Sequence, residues 1–260
     1  MRPRPIVMGI VNVTPDSFSD GGLHGDGVAH AAALIEAGAD WIDVGGESTR
    51  PGAPAVSADA EWDRVRPVIE AFAADAVVSI DTSKPSVAAR ALAAGARIIN
   101  DVTGLRHPDM PAVTADAEAT VVMHMRGTPQ TMQTLTDYTD PVSEIVEWLE
   151  ERASRARSDT VWIDPGIGFA KTARQSLQLL AATDRFVASG YPVLVGASRK
   201  SFIHHLTNAP DPHDRIGGSL AAVASAWSRG AQAFRVHDVR ETRQLLDLLH
   251  AIETTAENPA

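Results

Sequence analysis

Eight residues of this 260-residue chain stand out by type and spacing: Asn12, Asp43, Asp81, Asn100, Asp164, Lys200, Arg235 and His237. Asp81, Asn100 and Asp164 each end an apolar run with a short carboxylate or amide, which makes them rigidly held hydrogen-bond partners. Such a set suits a flat heterocycle that presents adjacent N–H donors and a carbonyl acceptor. One carboxylate can take two parallel N–H bonds, an arrangement that fixes orientation as well as affinity. Capping of the following helix would account for any one of these residues alone. Five or more together are much harder to assign to capping.

The basic groups suggest different work. Arg199-Lys200 and Arg235-Val236-His237 stand at the ends of the last two apolar runs. Alternation along a strand points Arg235 and His237 the same way. A guanidinium fork beside an imidazole donor would hold a diphosphate and stabilise the charge that develops as it departs. The competing assignment for Arg235 is a structural salt bridge to Asp238 or Glu241. Asn12 offers a hard carbonyl oxygen of the kind Mg²⁺ accepts alongside phosphate oxygens and water. His124 has no second His at ligand spacing and reads as structural, with Met123 and Met125 packed against whatever fills the site. His204-His205 reads as a solvated pair rather than a zinc site.

These residues need a scaffold that gathers strand ends. The apolar runs are Ile6–Val11, Trp41-Ile42, Val77–Ile80, Ile98-Ile99, Val121–Met123, Trp162-Ile163, Val193–Ala197 and Phe234–Val236. Their polar ends recur on average about every 32 residues, the size of a βα unit. Ala-rich helical patterns lie between them: Val28–Ala37 ending at Gly38, Pro85–Ala94 at Gly95, and Ser219–Arg229 at Gly230. Each of these glycines falls where a helix C-terminus favours positive φ. One helix-to-strand turn used three times predicts a single-domain (β/α)₈ TIM barrel spanning residues 1–260, with the site at the C-terminal ends of the strands. A doubly wound sheet would carry a Gly-rich first turn, and Asn12-Val13-Thr14-Pro15-Asp16-Ser17 is not one. Thr14–Gly27 and Gly45–Ser57 are then long loops over the catalytic face. Pro210–Gly218 reads as a third polar connection, and Thr254–Ala260 as a frayed tail.

Composition narrows the function. The formal net charge of −10 argues against non-specific binding to nucleic acid or to an anionic membrane. An anionic ligand would need a local basic cluster. Cys is absent, which rules out disulfides and thiolate metal sites and suits a reducing compartment. No apolar run approaches membrane-spanning length, and Met1-Arg2-Pro3-Arg4-Pro5 lacks the apolar stretch of a signal peptide. The expected location is the cytoplasm.

Seven ordered motifs carry a family resemblance. Asn12–Gly22 (NVTPDSFSDGG) and Asp43–Gly52 (DVGGESTRPG) closely resemble the two signature loops of bacterial dihydropteroate synthases. Ser79–Thr82, Asn100–Val102, Asp164–Lys171, Ser198–Ser201 and Arg235–Asp238 resemble further motifs of that family, in its order. The resemblance implies that p-aminobenzoate displaces diphosphate from (7,8-dihydropterin-6-yl)methyl diphosphate, giving 7,8-dihydropteroate for folate synthesis. It implies that Asp81, Asn100, Asp164 and Lys200 hold the pterin, with Met123 and Phe169 nearby. Asn12, Arg235 and His237 would hold the diphosphate, Asn12 through Mg²⁺, and Val236 would be a further substrate-binding residue. Thr49 and Arg50 would meet the substrates from the second loop. Ser201, at a helix start, would lie beside the p-aminobenzoate carboxylate, where free N–H groups favour an anion. Arg50, Lys200, Arg235 and His237 would be the catalytic cations. The implied mechanism is dissociative and needs no strong general base. The resemblance also implies a homodimer through the late helices and a target for sulfonamides, which mimic p-aminobenzoate.

Two other readings are weighed against this. A pterin-binding barrel of the methyltetrahydrofolate methyltransferase kind would share the pterin-facing Asp and Asn residues. It has no use for a diphosphate grip, so Arg235, His237 and Thr49-Arg50 argue against it. A non-catalytic pterin-binding relative would not be expected to keep Asn12, Arg50, Lys200 and Arg235 together.

Overall fold

A computed structural model describes residues 2–14, 25–49 and 52–257. Its strands are β1 (Ile6–Asn12), β2 (Trp41–Gly45), β3 (Val77–Asp81), β4 (Ile98–Asp101), β5 (Ala119–Met123), β6 (Thr160–Asp164), β7 (Leu194–Val195) and β8 (Ala233–Val236). The helices are α1 (Gly25–Glu36), α2 (Ala58–Phe72), α3 (Pro85–Ala93), α4 (Met110–Val113), α5 (Pro141–Ala153), α6 (Ala173–Ala181), α7 (Thr183–Val187), α8 (Ser201–Thr207), α9 (Ile216–Ser228) and α10 (Val239–Glu257). The strands run in the order β6-β5-β4-β3-β2-β1-β8-β7, every pairing parallel. A parallel bridge from Ile163 to Val193 joins β6 to the segment that leads into β7 and closes the ring. The barrel is as the sequence predicted, and all eight apolar runs are its strands.

Each strand is buried on both faces, as parallel sheets require. One face packs outward against the helices in a large apolar shell that includes Val7, Val11, Ile42, Val44, Ile80, Ile99, Val122, Ile163 and Phe234. The other face fills the barrel. At its N-terminal end Met8, Ile98, Ala119, Val121, Trp162, Leu194 and Ala233 form a separate apolar cluster, with Ile6, Trp41 and Val77 against it. Trp41 and Trp162 meet edge to face there, centroids 5.3 Å apart and planes at 86°. Two residues further along the same strands the inward positions turn polar: Asp43, Ser79, Asn100, Asp164 and Arg235. That change from apolar floor to polar mouth sets the level of the site.

The repeated helix-to-strand turn takes one shape: Gly38, Gly95 and Gly230 have φ of 100°, 103° and 100°. Several boundaries differ from expectation, and α1 begins at Gly25 rather than Val28. α9 begins at Ile216 rather than Ser219, because Gly217 and Gly218 can enter its first turn, Gly218 lying directly against Ile203. α10 continues through Glu257, so residues 254–257 extend the helix instead of leaving it. The Thr254 and Thr255 hydroxyls donate to the carbonyls of His250 and Ala251 within this last stretch.

Candidate active site

The polar mouth is organised by Arg235. Its Nε donates to Asp43 Oδ2 at 2.6 Å and its Nη2 to Asp81 Oδ2 at 2.7 Å. Neither partner was anticipated. Asp238, the expected competitor, is taken by Arg199. Asp43 also accepts from Asn100 Nδ2 at 2.9 Å. A carboxylate at that point can only accept, so the amide nitrogen of Asn100 faces Asp43 and its carbonyl oxygen is left as an acceptor. Burial pushes the Asp81 carboxyl up to about 7, the Arg235 guanidinium opposing that rise and Asp43 and Glu61 adding to it.

Across the barrel, Asp164 ends β6 at the turn the sequence singled out. Its Oδ1 accepts from the Gly166 backbone N–H at 2.7 Å, which anchors one oxygen and orients the other. Burial raises its pKa, opposed by that bond and by Lys200, Lys171 and Arg235. Gly166 has φ 67°, and a Cβ on it would lie 2.0 Å from the carbonyl oxygen of His124. Only glycine lets the turn pass so close to the end of β5. Lys200 crosses this turn, its ammonium donating to the Ile167 carbonyl and standing 4.0 Å from the Phe169 ring centroid. Burial pulls the Lys200 ammonium down to about 7, with Asp164 opposing and Arg235 reinforcing the fall. Met123 packs beside Phe169 in a small cluster with Val102, Met125, Met132 and Ala170. Asp81 and Asn100 thus meet through Arg235 and Asp43, while Lys200, Phe169 and Met123 gather at the Asp164 turn, all at the C-terminal ends of the strands.

His237 follows β8 two residues after Arg235 and is held by Ser198, whose Oγ lies 3.0 Å from Nδ1. Val236, between them, does not join the site through its side chain. It packs in the outer shell against the helices, because the alternation that turns Arg235 and His237 inward turns Val236 out. Asn12 sits at the end of β1, paired in register with Gly45 of β2. Thr49 lies in the β2–α2 connection, partly exposed, and Ser201 is the exposed first residue of α8. Arg50 and most of the first signature loop lie outside the described residues.

Sequence reading missed several supporting residues. Lys171 is buried beneath the Asp164 turn, its Nζ 2.8 Å from the Phe169 carbonyl and 3.0 Å from His124 Nδ1. Burial holds the Lys171 pKa far below its usual value. His124 is brought down to about 2, by burial first and Lys171 next. His124 is structural, as read, and it packs edge-on to Trp148 at 4.8 Å. Lys84 binds both Glu47 and the fully buried Glu61. Glu47 also accepts from the Val56 N–H at 3.0 Å, tying the second signature loop down at both ends. Hydrogen bonds spanning this much sequence leave no local pattern. The one available signal was that Lys171 and Glu47 fall inside recognised motifs.

A closed barrel with carboxylates, an amide and buried cations at one mouth is built for a polar planar ligand. The family profile described as pterin binding enzyme matches residues 8–237, and the chain belongs to that family. The dihydropteroate synthase of Escherichia coli K12 is 44% identical over 265 positions, covering 98% of this chain and 94% of that protein. The structure of Xanthomonas albilineans dihydropteroate synthase with 4-aminobenzoic acid superposes with a TM-score of 0.90 at 46% identity, covering 96% of this chain and 93% of that one. The same enzyme in complex with 7,8-dihydropteroate gives 0.87 at 43%, covering 96% and 94%. Within the family the chain is a dihydropteroate synthase, a transferase of folate biosynthesis. Among the described residues no helix is long and apolar enough to cross a membrane.

Proposed function

We propose that the chain condenses (7,8-dihydropterin-6-yl)methyl diphosphate with p-aminobenzoate by a dissociative displacement, with the pterin seated between Asp164 and the Asp43–Arg235–Asp81 cluster. The observation that carries this is the convergence of three acceptors, Asp81, the Asn100 carbonyl and Asp164, with the Lys200 ammonium on one mouth. Pterin N–H donors face the carboxylates, and Lys200 serves the carbonyl edge. Met123 and Phe169 supply apolar walls.

Diphosphate lies on the side of Arg235 and His237, where a guanidinium and an imidazole stabilise the departing charge. Departure leaves a cation delocalised over the pterin methylene, the neutral aromatic amine attacks it, and the anilinium so formed gives its proton to the departed diphosphate. No residue needs to act as a strong base before that bond forms. Thr49 and Arg50 would contact the substrates from the second loop, and Ser201 the p-aminobenzoate carboxylate. Asn12 would hold Mg²⁺. Among the described residues no three His, Asp or Glu side chains surround a common point. A lone amide oxygen suits a Mg²⁺ that keeps its waters and takes phosphate oxygens, and the ion would neutralise leaving-group charge.

The reading is tested by p-aminobenzoate-dependent diphosphate release from purified protein, with and without Mg²⁺. No release above background with Mg²⁺ present would sink it. Asp164→Asn, which turns an acceptor into a donor facing N–H groups, should abolish tight pterin binding in calorimetry. The exposed apolar side chains Leu206 on α8 and Leu248 and Ile252 on α10 support a homodimer through the late helices, to be read by sedimentation. A cytoplasmic location is supported by the absence of Cys and is checked by fractionation.

A further inference from the structure

We infer that Ser198 is a positioning residue that selects the ring tautomer of His237. The inference rests on the reading of His237 as a diphosphate ligand. Ser198 follows β7 and is 6% exposed. Its Oγ lies 3.2 Å from the backbone nitrogen of His237 and 3.0 Å from Nδ1 of the same residue. A backbone N–H can only donate, so the hydroxyl accepts there. Among the described residues the hydroxyl makes no other polar contact, and Nδ1 is the acceptor left for its proton. A neutral imidazole that accepts at Nδ1 carries its own proton at Nε2.

The neighbouring residue fixes this arrangement. Arg199 adopts φ 57°, a left-handed conformation costly for a side chain with a Cβ. It is held there by Asp238, with Nε donating to Oδ2 at 3.0 Å and Nη2 to Oδ1. Ser219 Oγ accepts from the Arg199 N–H at 2.9 Å, and Arg215 Nη1 donates to the Arg199 carbonyl at 2.8 Å. Two consecutive residues of the β7–α8 turn, 198 and 199, therefore grip two consecutive residues after β8, 237 and 238. Ser198 cannot drift from the ring it addresses.

The chemical consequence is a neutral N–H donor. Histidines held by a carboxylate gain basicity and tend to protonate, whereas a hydroxyl sets the tautomer without adding a charge. His237 can then donate from Nε2 to a departing phosphate oxygen in its neutral form.

The test uses ¹⁵N-histidine labelling of the full-length protein, with the His237 resonances assigned by their loss in His237→Gln. Wild type should show a protonated Nε2 and an unprotonated Nδ1. Ser198→Ala should give a mixture of tautomers, and Ser198→Thr, which keeps the hydroxyl, should restore the single form. Turnover of Ser198→Ala should fall about 10- to 100-fold with KM for p-aminobenzoate unchanged, and Ser198→Thr should recover most of it. A wild-type ring protonated at Nδ1, or ring shifts identical in Ser198→Ala, overturns the inference. Altered shifts with full turnover would uphold the tautomer selection and overturn instead the role of His237 at the diphosphate.

Discussion

Arg235 Nη2 donates to Asp81 Oδ2 at 2.7 Å, which ties the group assigned to diphosphate to a group assigned to pterin. The second arm of the same guanidinium is bonded to Asp43. The two proposed grips therefore share one guanidinium, and a change on either side is felt on the other.

That link makes Asp81 a source of pH dependence. Its native pKa of about 7 lies above the unfolded value of 3.8, so the native state binds the proton first. Stability should fall as pH rises through that window and level off above it. Urea denaturation of wild type between pH 4.5 and 8.5 should show the decline, and Asp81→Asn should flatten it. An equal slope in the variant would remove Asp81 as the cause. Pterin affinity should move oppositely, weakening below about pH 7 as the acceptor is protonated.

Lys200 joins Ile167 and Phe169 on the turn that carries Asp164. Lys200→Met keeps the stem and removes the donor. Pterin binding should weaken by about 1.5–3 kcal/mol, the range for a hydrogen bond involving a charged group. Calorimetry with a pterin analogue measures it. An unchanged affinity would place the ammonium away from the ligand.

Lys171 is tested differently because it meets only protein. Lys171→Met leaves the Phe169 carbonyl and His124 Nδ1 without their donor, at a cost of about 1–3 kcal/mol for each buried group left unsatisfied. A lower thermal midpoint and weaker pterin binding should appear together, since Phe169 carries the wall against Lys200. Loss of stability with intact pterin affinity would show that the support ends at the core.

Gly166→Ala places a Cβ 2.0 Å from the His124 carbonyl oxygen at φ 67°. Strain and overlap together should destabilise the protein by about 3 kcal/mol or more. Gly217→Ala is the control. Nothing lies within 4 Å of its added methyl in the first turn of α9, so it should be neutral or stabilising by up to about 1 kcal/mol. Chemical denaturation of both variants decides.

Much of this was legible in the sequence. Parallel strands are buried on both faces, so they appear as apolar runs, and the barrel places their polar ends at one mouth. Asp81, Asn100, Asp164 and Lys200 could be named for that reason. The partners of Arg235 could not, because the contact with Asp43 spans 192 residues and only closure of the ring creates it. Lys171 was hidden by its type, since lysine is seldom buried. Val236 is a different case. The alternation that correctly paired Arg235 with His237 also places the residue between them on the opposite face, so the sequence already held the argument against it.

The apolar floor has a consequence for traffic. Met8, Val121, Trp162 and Leu194 seal the barrel from below, with Trp41 against them, and the polar well above is blind. Among the described residues that floor leaves the C-terminal ends of the strands as the way in. Whatever reaches Asp164 must pass the level that later arrivals occupy. On the proposed seating the pterin, deepest at Asp164, is expected to enter before p-aminobenzoate, and the joined product to leave by the same route.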